Sequence, residues 1–170
     1  MLAANTLARA LHPGYRPGVN LLRTIFLDPD SREFYLNWDR LTQGSVAALR
    51  AAAGSDPDHP RLTDLVGELS LHSETFRRLW GHHDVRGKTH LTKHLNHPLV
   101  GELELNFESF SINGAPGQQL VVYHAEPNTP SAEALTLLST LAASEPGTHT
   151  KAADTRAGRA RIEPTRQPPG

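Results

Sequence analysis

The chain contains no cysteine, which excludes disulfides, thiolate-bound zinc and thiol nucleophiles together. No apolar run approaches the roughly 18 residues that a membrane-spanning helix needs, so no membrane partner is expected. Met1 is followed by Leu-Ala-Ala-Asn, without the basic start and long apolar stretch of a secretory signal, and the cytoplasm is the expected location. An excess of either charge is also lacking, with a formal net charge of −1. Nucleic-acid-binding domains draw much of their affinity from neutralising phosphates, so no direct grip on DNA or RNA is expected. There is no Gly-x-Ser-x-Gly elbow, no phosphate loop and no dinucleotide fingerprint. The usual signatures of acyl transfer, nucleotide hydrolysis and hydride transfer are therefore missing. No enzyme activity, catalytic residue or cofactor is expected.

What is present is a hydrophobic fraction of 38% over 170 residues, which supports one core. Residues 1–143 are expected to carry it. Residues 144–170 hold a single large aliphatic side chain, Ile162, among Gly, Pro, Thr and Arg. Such a segment cannot offset its ordering entropy and is expected to be a disordered tail.

The front half has helical periodicity. Asn5 is placed to cap a short helix carrying Leu7 and Leu11, and Asn20 a second with Leu21, Leu22, Ile25 and Phe26. Asp28-Pro29 ends that helix and opens a longer one through Phe34, Trp38, Leu41, Val46 and Leu49, closed at Gly54. Pro60 begins another with Leu62, Leu65, Val66 and Leu69 on one face. Ser73 caps the next, with Phe76, Leu79, Trp80 and His83 on one stripe.

The period then changes. Leu103, Leu105 and Phe107 alternate with Glu102, Glu104 and Asn106, as in a half-buried strand. After Glu108 the phase slips to Phe110 and Ile112, which predicts a bulge. Asn113-Gly114 and Pro116-Gly117 make a turn. Leu120–Tyr123 is apolar on both faces and is expected to be a central strand. A shorter strand is expected near Thr89–His97. Thr129-Pro130 opens a last helix with Leu135, Leu138, Leu141 and Ala142 inward. Helices, then an antiparallel meander, then a closing helix predict an α+β fold. Helices over one sheet face leave room for a cavity between the layers.

The blocks Asn20-Leu21-Leu22-Arg23, Phe26-Leu27-Asp28-Pro29, Arg32 and Trp38, together with Val46-Ala47-Ala48-Leu49-Arg50, stand in the chain ahead of Leu65-Val66-Gly67-Glu68-Leu69. They are followed by Ser73, Phe76, Leu79-Trp80, His83-Asp84-Val85-Arg86, His97-Pro98-Leu99-Val100-Gly101-Glu102-Leu103, Gly117 to Pro127, and Ser131-Ala132-Glu133-Ala134-Leu135. In this order and spacing, over roughly residues 2 to 142, the chain resembles the MmyB-like transcription regulator ligand-binding domain family. The resemblance implies a PAS-like antiparallel sheet with helices packed on one face around a pocket. It implies a sensor of helix-turn-helix regulators of the xenobiotic-response-element type, common in actinobacteria, that takes an apolar, fatty-acid-like ligand. In such relatives DNA is held by a separate helix-turn-helix domain ahead of this region, which is expected to be missing here. Family sensors open with a strand ahead of the segment that Leu2-Ala3-Ala4-Asn5 resembles, so the resemblance implies a domain truncated at its start and short of its first strand.

The candidate ligand-binding residues are Phe26, Trp38, Leu65, Phe76, Trp80, Leu105, Phe107, Val121 and Tyr123. Arg86 or Arg23 is the candidate partner for a carboxylate, since guanidinium forks suit that group. Each of these residues also fits a plain core or surface role. Two other readings stay open: a dimerisation or interaction remnant without its own ligand, with a homodimer as its partner, and a metal-dependent hydrolase. The last would draw on His72, His82, His83, His90, His94 and His97 with Asp84, but no carboxylate-rich motif completes a site, and no metal ligand is assigned.

Overall fold

Short polar side chains and prolines set the helix starts. In the computed structural model, which describes residues 1–82 and 92–144, Asn5 Oδ1 accepts the Ala8 amide at 2.7 Å and opens α1 (Thr6–Leu11). Asn20 Oδ1 accepts the amides of Leu22 and Arg23 at 3.0 and 3.4 Å and opens α2 (Leu21–Leu27). Each oxygen satisfies an amide that has no partner inside the helix. Pro60, which has no amide to orphan, stands at the start of α5 (Pro60–His72). Ser73 Oγ accepts the Phe76 amide at 3.2 Å and opens α6 (Glu74–Gly81). Pro130 opens α7 (Pro130–Ser144).

The long helix expected from Asp28-Pro29 is two helices, α3 (Ser31–Phe34) and α4 (Trp38–Ser55). Between them Tyr35 bridges antiparallel to Leu95, and the Leu36 amide donates to the His94 carbonyl at 3.0 Å. Sheet pairing takes these backbone groups, overriding a helical pattern that runs through the break. Gly44 lies inside α4.

The sheet has the order β1 (Thr92–His97), β2 (Gly101–Ser111) and β3 (Gln119–His124), antiparallel throughout. Its register puts Lys93, Leu95, His97, Leu103, Leu105, Phe107 and Tyr123 on one face, and His94, Glu102, Glu104 and Asn106 on the other. The alternation from Leu103 to Phe107 is as expected. Two expectations are corrected. The pairing from Asn106↔His124 to Ser111↔Gln119 advances without a bulge. β3 is an edge strand rather than a central one, with Leu120, Val121 and Val122 exposed by 55, 42 and 41%. Among the described residues, β2 beyond Asn106 pairs only with β3. Past the Phe107–Tyr123 pair the ribbon leaves the helices, and no core fixes which of its side chains are apolar. Leu141, expected inward, is likewise exposed, whereas Leu138 is buried.

Helix α7 packs on α1 and β2, and α3 on β1. Residues of α1, α3 and α7 thereby cover the first sheet face, where Leu95, Leu103 and Leu105 are fully enclosed. Helices α2, α4, α5 and α6 pack on one another around Phe26, Phe76 and Leu69. The two parts share one hydrophobic core, and the fold is α+β. The expected strand start at Thr89–Leu91, the residues His83–His90 and, apart from Ser144 at the end of α7, the tail expected at residues 144–170 lie outside the described residues.

Candidate functional site

Lys93 of β1, Phe107 of β2 and Tyr123 of β3 form a row across the covered face of the sheet. The Lys93 ammonium stands 4.8 Å from the Phe107 ring centroid, and the Phe107 and Tyr123 rings are 6.1 Å apart. His12, just past α1, reaches over this row, with its ring 5.3 Å from Tyr123 and 5.7 Å from Phe34. Tyr15 stacks on His12 and places its hydroxyl 3.4 Å from that of Tyr35. The chain has three tyrosines, and all three meet here from α1's exit, the α3–α4 break and β3.

His12 is 2% exposed, and neither ring nitrogen has a hydrogen-bond partner among the described residues. Its pKa is pushed down to about 3, first by burial, then by the charge of Lys93, then by His97. It is therefore a neutral imidazole with one idle donor and one idle acceptor. Lys93 is pushed below the ordinary lysine value by burial, and makes no ion pair with any described residue. Burial raises all three tyrosines, Tyr35 to about 12, so each hydroxyl stays protonated at neutral pH. His97 differs from His12 in being fully engaged. Its Nδ1 accepts the Leu99 amide at 3.2 Å, which leaves Nε2–H to donate to the Ala10 carbonyl at 2.9 Å.

The sequence-derived candidates fall into separate groups. Phe107 and Tyr123 are in this cluster, and Leu105 lies beside it on the same face. Phe26, Trp38, Phe76 and Trp80 pack on each other instead, with Phe26 and Phe76 edge to face at 5.1 Å and Phe76 stacked on Trp80 at 5.6 Å. Leu65 is buried in the same core, and Val121 sits on the exposed ribbon. The Trp38 Nε1–H donates to the Ile25 carbonyl at 3.1 Å. Arg23 is engaged by Glu68, with Nε–Oε2 at 2.8 Å and a second contact at 2.6 Å. Arg86 lies outside the described residues. His12, Tyr15, Tyr35 and Lys93 carried no local sequence signal, because only the fold brings them together.

A cleft of about 450 Å³ lies on the opposite sheet face, between Leu36, His94, Glu102, Glu104, Asn106 and Glu126. Its carboxylates make it a poor seat for an acidic ligand. A shallower hollow of about 340 Å³ runs along Arg32–Arg40. Among the described residues no group of three His, Asp or Glu side chains stands together as metal ligands do.

A family model, described as MmyB-like transcription regulator ligand binding domain, matches residues 1–138. No curated protein and no solved structure matches the chain.

Proposed function

Because this chain belongs to the MmyB-like transcription regulator ligand-binding domain family, we propose that it senses an apolar, fatty-acid-like small molecule for a helix-turn-helix regulator. Its role is binding rather than turnover. The ligand enters the layer between the sheet and helices α1, α3 and α7. The observation that carries this reading is the enclosed His12, whose two ring nitrogens find no partner among the described residues and lie amid aromatic rings. Apolar walls with a few polar groups that fix orientation are the usual make-up of a small-molecule site. In the regulator, the ligand would act through a difference in affinity between two arrangements of the attached DNA-binding domains.

The test is thermal unfolding of the purified chain with saturating medium- and long-chain fatty acids. A ligand that binds only the folded state raises Tm with concentration. A melting temperature indifferent to every chain length tested would count against the reading. A second reading, an interaction module with no ligand of its own, draws on the exposed apolar edge at Leu120, Val121 and Val122. A chain that sediments as a dimer and shows no ligand-dependent stabilisation would favour it.

A further inference from the structure

We propose that the outer edge of β3 is a self-association surface. Two copies of this chain join β3 to β3, antiparallel about a two-fold axis at Val121, so that two three-stranded sheets become one. This goes beyond the sensor reading and does not depend on a ligand.

The hydrogen-bond phase of the sheet shows which groups are free. The Ile112 amide donates to the Gln118 carbonyl at 3.3 Å, and bonded pairs in an antiparallel ladder recur at every second residue. Leu120, Val122 and His124 therefore turn their backbone groups towards β2. Gln119, Val121 and Tyr123 turn theirs outward, where no described residue takes them. The same phase lets the Glu104 amide, which points away from β1, donate to the Ser131 hydroxyl at 2.8 Å beyond the end of β3. Proteins usually blunt a free edge with lysine, proline or a bulge. β3 reads Gln-Leu-Val-Val-Tyr-His and pairs with β2 without a bulge, so it carries none of these.

Three observations select a second copy as the occupant. The β1 edge is already taken, by the Tyr35 bridge to Leu95 and the Leu36 amide on the His94 carbonyl, which leaves β3 as the longest free edge among the described residues. The strand is also its own complement. With the axis at Val121, Gln119 faces Tyr123 of the second copy, Leu120 faces Val122, and the two Val121 residues face each other. Every outward residue then meets an outward residue. No Asp, Glu, Lys or Arg lies on β3, so no like charges oppose one another across the pairing. The third observation is the sheet face turned away from α1, α3 and α7. Phe110, Leu120 and Val122 share it, exposed by 48, 55 and 41%. In the joined sheet they line up with their counterparts in one apolar stripe that each copy half covers. An edge that pairs with itself about a two-fold axis closes the assembly at two copies. One strand and its flanking side chains make a small interface, below about 1,200 Å², so the dimer is a weak one with Kd of about 10 to 100 μM.

The experiment is sedimentation velocity of the full chain from about 5 to about 500 μM, which brackets that Kd, together with single-cysteine cross-linking. The wild type is expected to pass from monomer to dimer across the range. Val121→Lys puts a charge on the edge and Val121→Pro removes an outward amide; each is expected to weaken the dimer by about tenfold or more, with circular dichroism unchanged. Leu137→Lys, at an exposed leucine of α7, is expected to stay within about twofold of wild type, as surface changes away from an interface do. The chain has no cysteine, so Val121→Cys introduces one thiol. At the axis its Cα lies about 5.5 Å from its counterpart's, within disulfide reach, and mild oxidation is expected to give a linked dimer, whereas Leu137→Cys gives none. A wild type that stays monomeric over the whole range overturns the proposal and leaves the edge to a strand from another protein. A dimer of undiminished strength in folded Val121→Lys and Val121→Pro chains, or one that links through Leu137→Cys and not through Val121→Cys, overturns it as well.

Discussion

The imidazole of His12 lies flat on the phenol ring of Tyr15, with centroids 4.2 Å apart and planes inclined by 15°. The stack uses a face of the imidazole and leaves its two nitrogens at the edge, without partners among the described residues. A ring with no polar edge would stack equally well. His12→Phe is therefore expected to raise stability in the ligand-free chain by about 1 kcal/mol, by removing an unsatisfied buried polar group. For a chain of this size that corresponds to roughly 2 to 4 °C in Tm. The same variant is expected to bind dodecanoate more weakly. A lower Tm together with undiminished binding would show that His12 is a packing residue only.

Acid should reveal the same residue. The folded-state pKa of His12 lies at about 3, below the 6.5 of an exposed histidine. Below pH 6.5 the unfolded chain takes up a proton there and the folded chain does not. This contribution is thus fully present above about pH 6.5 and is lost as pH falls towards about 3. The slope approaches about 1.4 kcal/mol per pH unit once the unfolded histidine is protonated. Urea unfolding at pH 7.5, 6 and 5 should show His12→Phe losing less stability on acidification than the wild type. Parallel curves would contradict the neutral, buried state of His12.

The helical part should respond differently. Phe76 is fully enclosed and touches both Phe26 and Trp80. Phe76→Ala is expected to cost about 3 to 5 kcal/mol, from lost transfer energy and a residual cavity, measured by urea unfolding. In the chain that remains folded, dodecanoate binding should persist, since Phe76 lies outside the aromatic cluster around His12.

Local signals were legible wherever local chemistry decides the structure. The caps at Asn5, Asn20 and Ser73 and the proline starts of α5 and α7 stand where the sequence places them. So does the alternation of Leu103, Leu105 and Phe107. What sequence could not show was set by distant partners. The α3–α4 break depends on Leu95, some sixty residues away from Tyr35. The apolar run in β3 suggested a central strand, because composition cannot distinguish two buried faces from an exposed ribbon. Of the proposed site, two residues were visible. Phe107 and Tyr123 stood out as apolar strand residues, but His12, Tyr15, Tyr35 and Lys93 are gathered from three places by tertiary contacts. The aromatic helices supplied candidates that the structure packs against one another.

Arg23, once a candidate for the carboxylate, is held by Glu68 on the surface. Each charge holds the other, raising the pKa of Arg23 and lowering that of Glu68 mainly through their hydrogen bonds. Arg23→Met is expected to leave dodecanoate affinity within about twofold of wild type by calorimetry, as surface pairs of this kind contribute little. A loss of tenfold or more would show that Arg23 meets the carboxylate.

The most direct measurement uses the distribution of aromatic residues. The chain has three tyrosines and two tryptophans. The tyrosines surround His12, whereas Trp38 and Trp80 lie in the helical part. With carbon-13-labelled tyrosine rings and nitrogen-15-labelled indoles, NMR titration with dodecanoate should shift the signals of Tyr15, Tyr35 and Tyr123 and leave both indole N–H signals in place. Indole signals that move while the tyrosine rings stay still would put the ligand among the helices and contradict a site on the sheet.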